Sequence, residues 1–275
     1  MDFIHILKNI AKNKAASLIL IVLLGIVLRI IRAIEMNRYD VDCYIYFNMA
    51  INWANYGANY TYSNCLQTIP PLLPFLMSLG YKLGIQPEIT GIFFGIMLGS
   101  LIPFCMFYIV KTLLKRADLA LLAAFFGAIH PSLVRISVRC LRDSLYIPLI
   151  AIALVCAVAA IKNRSVVKWS LFSFVVTLAC FARYEGYEFI IIFLIWVFVE
   201  IVIKFVGKHN HPFAITHSPA TIIDIKYYSC SLFFVLAIFL SLNLFVYYSF
   251  SLCQNRYTSP FFSIVNSIID SIFTK

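Results

Sequence analysis

Three short stretches of a largely apolar chain carry side chains able to move a proton or hold a phosphate. The first, RYDVDCYIYFNMAINWANYG at Arg38–Gly57, places Asp40 and Asp42 directly behind the first hydrophobic run. Asp42, Tyr46 and Ala50 recur at steps of four, so on a helix they share one face with Trp53 and Ala54. A carboxylate at a membrane–water boundary can act as general base on a hydroxyl, or bind a divalent cation that bridges phosphate oxygens. It can equally do no more than cap its helix, because a helix N-terminus favours negative charge. The stripe behind Asp42 makes it the first candidate and Asp40 the second.

The second stretch is HPSLVRISVRCLRDSLYIPL. His130-Pro131 ends one helix, and Arg135, Arg139 and Arg142 follow at steps of four and three. On a helical turn they are expected to form one cationic ridge suited to a phosphate or pyrophosphate headgroup, with Asp143 opening the next apolar span. A basic interfacial loop that holds lipid headgroups accounts for the same residues. The third stretch, FARYEGYEF, sets Arg183 and Glu185 between two apolar runs, with Gly186 allowing a tight turn. Ionisable residues at span ends that face a cavity are functional candidates; an Arg–Glu pair closing a hairpin is the plainer alternative. His209, His211 and His217 cluster in GKHNHPFAITH, but no neighbouring Cys or acidic residue completes a zinc set, and no metal site is assigned.

The elements that must position these residues are membrane spans. The chain is 62% hydrophobic and only 12% charged, with a mean hydropathy of +0.91. Soluble domains run at about 45–50% apolar and about 25% charged. Several runs approach roughly 20 residues, the length that crosses a bilayer core of about 30 Å, and the short alternating strands of a membrane barrel are missing. The fold class is therefore an all-α polytopic membrane protein, with about seven to eight transmembrane helices and a long amphipathic first outer loop. A single membrane domain over 1–275 is expected. The net charge of +10 is scattered over inter-helix loops, which suits membrane lipids and the positive-inside rule rather than nucleic acid.

Along the chain, Lys8, Lys12 and Lys14 precede a run from Ala15 to about Ile34, read as a retained signal-anchor helix with a cytoplasmic N-terminus. The loop from Glu35 to Ile69 is expected to be helical in its first half and irregular in its second. Pro71–Leu83 is too short to span comfortably. Apolar segments follow at about Ile89–Val110, Ala117–Val134, Leu141–Ile161, Val167–Phe181, Gly186–Val206 and Tyr228–Phe250, before an amphipathic tail at Pro260–Lys275. The balance of basic residues favours a topology in which Pro71–Leu83 does not cross, which puts Asp40, Asp42, Asp143, Arg183 and Glu185 on one face. Of the eight cysteines, Cys105, Cys156 and Cys230 read as small buried hydrophobes, while Cys43 and Cys65 share one loop and could pair on an oxidising side.

The order of these parts resembles the C-type (GT-C) membrane glycosyltransferases, in particular the protein O-mannosyltransferase and lipid A aminoarabinose-transferase branch. That family's Asp-x-x-x-Tyr-x-x-x-Ala pattern falls on Asp42, Tyr46 and Ala50, and Asp40 matches only its first half. Its Lys-Pro-Pro-Leu step appears as IPPLLP at Ile69–Pro74, with Ile69 in place of Lys. Its Arg-x-Glu-Gly step appears as Arg183–Gly186, and Asp143 stands where relatives often carry an acidic residue. The resemblance covers about Lys8 to Val206. Since members run on for several more helices, a short member or a piece of a longer one is expected.

The resemblance implies a polyprenyl-phosphate sugar donor and a glycan, lipid or protein acceptor. It implies Asp42 as the base that deprotonates the acceptor hydroxyl, with inversion at the anomeric carbon. Arg139, Arg142 or Arg183 would hold the lipid phosphate, and Tyr46, Asp143 and Glu185 would complete the substrate contacts. Some relatives use a divalent cation; none is assigned here. A multi-pass protein of a bacterial inner membrane is expected in preference to the endoplasmic reticulum. Outside the enzyme class, a transporter or lipid flippase would be expected to show paired interrupted helices and mid-span acids, and a scaffold subunit would need no site at all.

Overall fold

A computed structural model describes residues 13–36, 39–63, 69–163, 165–206 and Leu240. Helix α1 spans Lys14–Ile34 and α2 Val41–Ser63; α3, α4 and α5 span Leu72–Lys82, Pro87–Gly99 and Ile102–Leu114. Helices α6 and α7 span Ala117–Ile129 and Pro131–Val138; α8, α9 and α10 span Asp143–Asn163, Val166–Ala182 and Tyr187–Val206, with a 3-10 turn at Tyr184–Gly186 between the last two. There is no strand among the described residues, so the chain is an all-α membrane protein as its composition demands. His209, His211, His217, Cys65, Cys230, the segment 228–250 apart from Leu240, and the tail 260–275 lie outside the described residues.

Three helical stretches are long and apolar enough to cross a membrane: α1, the combined α4–α5 at Pro87–Leu114, and α8. The α6–α7 pair makes a fourth if its 50° bend is taken as one broken span. At 11 residues and about 1.5 Å per residue, α3 reaches only about 16 Å and cannot cross. The outward face of α1, with Ile19, Leu23, Val27, Ile30 and Ile34, is left uncovered, as a lipid-facing surface should be.

Both breaks have local causes. The expected segments Ile89–Val110 and Ala117–Val134 each divide in two. Pro103 at the start of α5 has no N–H for the preceding turn, and Pro131 does the same after His130, whose backbone is extended at ψ 118. Gly91, Gly95 and Gly99 form a smooth stripe on α4 that lets α7 and the following loop press in. A Cβ on Gly95 would strike the Ser137 carbonyl, and one on Gly91 would meet the Met77 side chain and lie 3.0 Å from Cys140 Sγ.

One end of the bundle gathers the polar stretches. Lys14 pairs with Asp118 at 3.3 Å, marking the far end, where α1 and α6 both start. The opposite end holds the end of α1, the starts of α2, α4 and α8, and the end of α9. Cys105 and Cys156 are buried as expected; Cys43 is buried too and carries a free thiol. The first outer loop differs from expectation. Helix α2 continues past a kink at Gly57 (φ 85, ψ 170) as far as Ser63, where irregular chain was expected from Gly57 onward.

Candidate functional site

Helix α2 lies across this end with one face turned in. Tyr46 and Ala50 of the expected stripe are buried, with Cys43, Phe47 and Met49 beside them, and Trp53 packs at the edge against Phe75. Asp42, at the head of the same face in the first turn, stays exposed. The helix starts where the Cys43 N–H donates to the Asp40 carbonyl at 2.9 Å. Tyr39, Tyr44 and Phe47 pack edge to face beneath the two carboxylates, with Tyr39 and Phe47 centroids 5.3 Å apart.

The three arginines do not form the expected helical ridge. Helix α7 stops at Val138, and Arg139 is extended (φ −74, ψ 127), so the turn that would have aligned Arg135, Arg139 and Arg142 is broken. Each instead has its own surroundings. Arg139 Nε stands 3.5 Å from Asp40 Oδ2, joining the two stretches across the start of α2. Arg142, in the turn before α8, is exposed and makes no ion pair among the described residues. Arg135 is exposed on α7.

Arg183 closes the other side. Its Nη1 donates to Asp143 Oδ1, tying the end of α9 to the head of α8, and its Nε lies 2.8 Å from Glu185 Oε1 in an ion pair that leaves Nε without an aligned hydrogen bond. The guanidinium also sits over the Tyr146 ring, 5.8 Å from its centre. Burial alone would lower the Arg183 pKa, but the Glu185 and Asp143 carboxylates outweigh it and raise the pKa. Glu185 ends below the usual carboxylate range: burial pushes it up, and its backbone hydrogen bond, Arg183 and Arg142 pull it further down. Gly186 is needed for space rather than for an unusual φ. A Cβ there would come within 2.7 Å of the Cys180 nitrogen and 2.9 Å of its Cα.

Tyr46 ties the three stretches together. Burial raises its pKa first; Arg142 then lowers it, and Asp42 and Asp143 raise it again. Tyr46 thus shares one end of the bundle with Asp42, Arg142 and Asp143, and neither Asp42 nor Arg142 is held in an ion pair among the described residues. Neither Tyr39 nor Glu88 is marked by residue type or spacing. Glu88 reads as an ordinary N-terminal helix charge, yet its carbonyl accepts from Cys140 Sγ at 3.5 Å, which brings the head of α4 into the cluster. Among the described residues no group of three or more His, Cys, Asp or Glu stands ready for a metal ion.

A family model described as dolichyl-phosphate-mannose-protein mannosyltransferase matches residues 68–223, more than half of the chain. The chain belongs to this mannosyltransferase family. It is therefore a membrane glycosyltransferase of the GT-C type, and the transporter and scaffold readings give way to it. No curated protein matches the chain. The part that matches the mannosyltransferase family contains Arg139, Arg142, Asp143, Arg183 and Glu185. Asp40, Asp42 and Tyr46 lie ahead of it and join these residues only through the fold.

Proposed function

We propose that this glycosyltransferase moves a sugar from a polyprenyl-phosphate-linked donor to an acceptor hydroxyl at the outer membrane face, with Asp42 as general base. The carrying observation is an exposed, ion-pair-free carboxylate, Asp42, at the head of the helix face that buries Tyr46 and Ala50, at the same end of the bundle as a similarly free guanidinium, Arg142. Asp40 is held by Arg139 at 3.5 Å and is the poorer base. Arg183, engaged by two carboxylates, suits a clamp better than a phosphate holder.

In the proposed step the Asp42 carboxylate takes the acceptor O–H proton as that oxygen bonds to the anomeric carbon. The bond from that carbon to the phosphate oxygen breaks from the opposite face, and the electron pair leaves with the polyprenyl phosphate. General-base assistance contributes on the order of 10²–10⁴ in rate. Arg142 meets the charge growing on the leaving phosphate, an electrostatic contribution on the order of 10²–10³. Tyr46 orients the acceptor from below. The donor's chain stays in lipid beside α1 while its headgroup reaches the cluster. A glycan, lipid or protein acceptor fits equally. Since the cluster draws on α2, α4, α8, the end of α9 and the turns beside them, we take the described residues to act as one membrane domain.

The outer face is inferred from the balance of basic residues along the whole sequence, whose larger share falls in the loops on the Lys14 side, where the positive-inside rule puts the cytoplasm. The test is transfer by the purified, lipid-embedded protein from an anomerically pure polyprenyl-phosphate sugar. A product of inverted anomeric configuration supports direct displacement; retained configuration sinks the single-base step.

A further inference from the structure

One charged residue stands inside the first apolar run, Arg29 near the end of α1. Its side chain is completely buried. Nε donates to Ser137 Oγ at 3.1 Å, and Nη1 donates to the Gly25 carbonyl at 2.9 Å and, more weakly, to the Ala128 carbonyl at 3.4 Å. Nη2 is buried with no hydrogen-bond partner, and no carboxylate pairs with the guanidinium among the described residues. A cation in a membrane span is expensive, and one without a counter-charge is more so. A leucine would pack α1 against its neighbours at less cost.

The contacts say what the cation does in return. Ala128 lies in the last turn of α6, where the 50° bend interrupts the helix ladder and Pro131 brings no N–H. Ser137 lies in the last turn of α7, its hydroxyl donating to the Leu133 carbonyl at 2.7 Å while accepting from Arg29. Arg29 therefore grips both limbs of the broken pair from α1. Gly99 of α4 closes over the grip: a Cβ there would strike Ser137 Oγ and come within 3.1 Å of Arg29 Nε. Two residues beyond Ser137 stands Arg139, paired with Asp40, and three further on stands Arg142.

We infer that Arg29 is a positioning residue: a buried cationic staple that sets the α6–α7 bend and thereby places the Arg139–Asp143 loop against Asp40 and Asp42. Its catalytic consequence rests on the transfer reaction proposed above; its geometric consequence does not. Loosening the bend moves Arg142 relative to the acceptor base, and an error of about 1 Å in such a placement costs on the order of 100-fold in rate.

Hydrogen exchange on the full chain in lipid nanodiscs, comparing Arg29→Gln with wild type, separates a local staple from general stability. Amides at 132–142 are expected to exchange at least tenfold faster while those at 166–182 do not change. Unchanged exchange at 132–142, or equal acceleration in both regions, overturns the inference. Where Arg29→Gln yields no folded protein, Ser137→Ala decides: at least threefold faster exchange at 132–142 supports the staple, and no change overturns it. In transfer assays Arg29→Gln is expected to lower kcat at least tenfold with the donor KM within threefold of wild type, and a wild-type kcat overturns the positioning role. Failure of the wild-type protein to use a polyprenyl-phosphate sugar would remove the proposed reaction, leaving the exchange pattern to decide the staple.

Discussion

Replacing Arg183 with Met tests whether the link between α8 and α9 holds the site together. The guanidinium meets two carboxylates, Asp143 from the head of α8 and Glu185 from the turn after α9. A hydrogen bond to a charged group contributes about 1.5–3 kcal/mol when well buried, whereas an exposed ion pair contributes about 0–1 kcal/mol. Here the side chains are 30% (Arg183), 33% (Asp143) and 43% (Glu185) exposed, between those limits. Taking about 1 kcal/mol for each pair gives a loss of about 2 kcal/mol near neutral pH. The loss also has a pH signature. The Glu185 pKa is depressed in the fold, so its stabilisation is fully present above the ordinary value of 4.5 and disappears as pH falls through the lower folded value. Arg183 is raised from an already high value and adds no dependence below neutrality. Reversible unfolding in mixed micelles, followed by tryptophan fluorescence at several pH values, should show the gap between wild type and Arg183→Met shrink by the Glu185 share, about half, as the pH falls below about 4.5. A difference under about 0.5 kcal/mol at pH 7, or one that stays constant as the pH drops, refutes the clamp.

Three further outcomes follow from the same geometry. Arg142→Gln should lower transfer on the order of 100-fold by removing charge from the leaving phosphate, while Arg139→Gln, whose partner is Asp40, should cost on the order of tenfold or less; steady-state rates on one donor compare them. Tyr46→Phe should fold with unchanged thermal stability, because the ring remains buried, and lose about tenfold in turnover through the missing hydroxyl. Gly186→Ala forces a methyl against the Cys180 backbone and should destabilise by about 1–3 kcal/mol in the same micelle assay, with an equal loss of Arg183 function.

Much of this architecture is legible in the chain itself, because long apolar runs in a bilayer leave the backbone little choice but helix. The short Pro71–Leu83 segment, the Asp143 start and the Arg183–Gly186 step were all visible as interruptions of those runs. What escaped were features settled by local backbone geometry and distant packing. The cationic ridge assumed that a helix continued through Arg139, and residue types alone do not reveal the extended backbone that ends α7 there. The helical segment beyond Gly57 was hidden behind a glycine that reads as a stop. The Arg183–Asp143 contact joins residues 40 apart, so each was a candidate alone but their pairing was not. Arg29 was overlooked for the opposite reason. Near the end of an apolar run it looks like a residue reaching for the interface, yet it turns inward to a bend whose contacts lie 99 and 108 residues away.

The family match leaves open which carboxylate performs the transfer, since both Asp40 and Asp42 precede the matched residues. The most direct measurement is initial-rate transfer from one polyprenyl-phosphate sugar by purified wild type, Asp42→Asn and Asp40→Asn in the same lipid. Loss of at least 10³-fold with Asp42→Asn and at most about tenfold with Asp40→Asn is the expected result, on the scale of general-base catalysis. Wild-type rates from Asp42→Asn would contradict it.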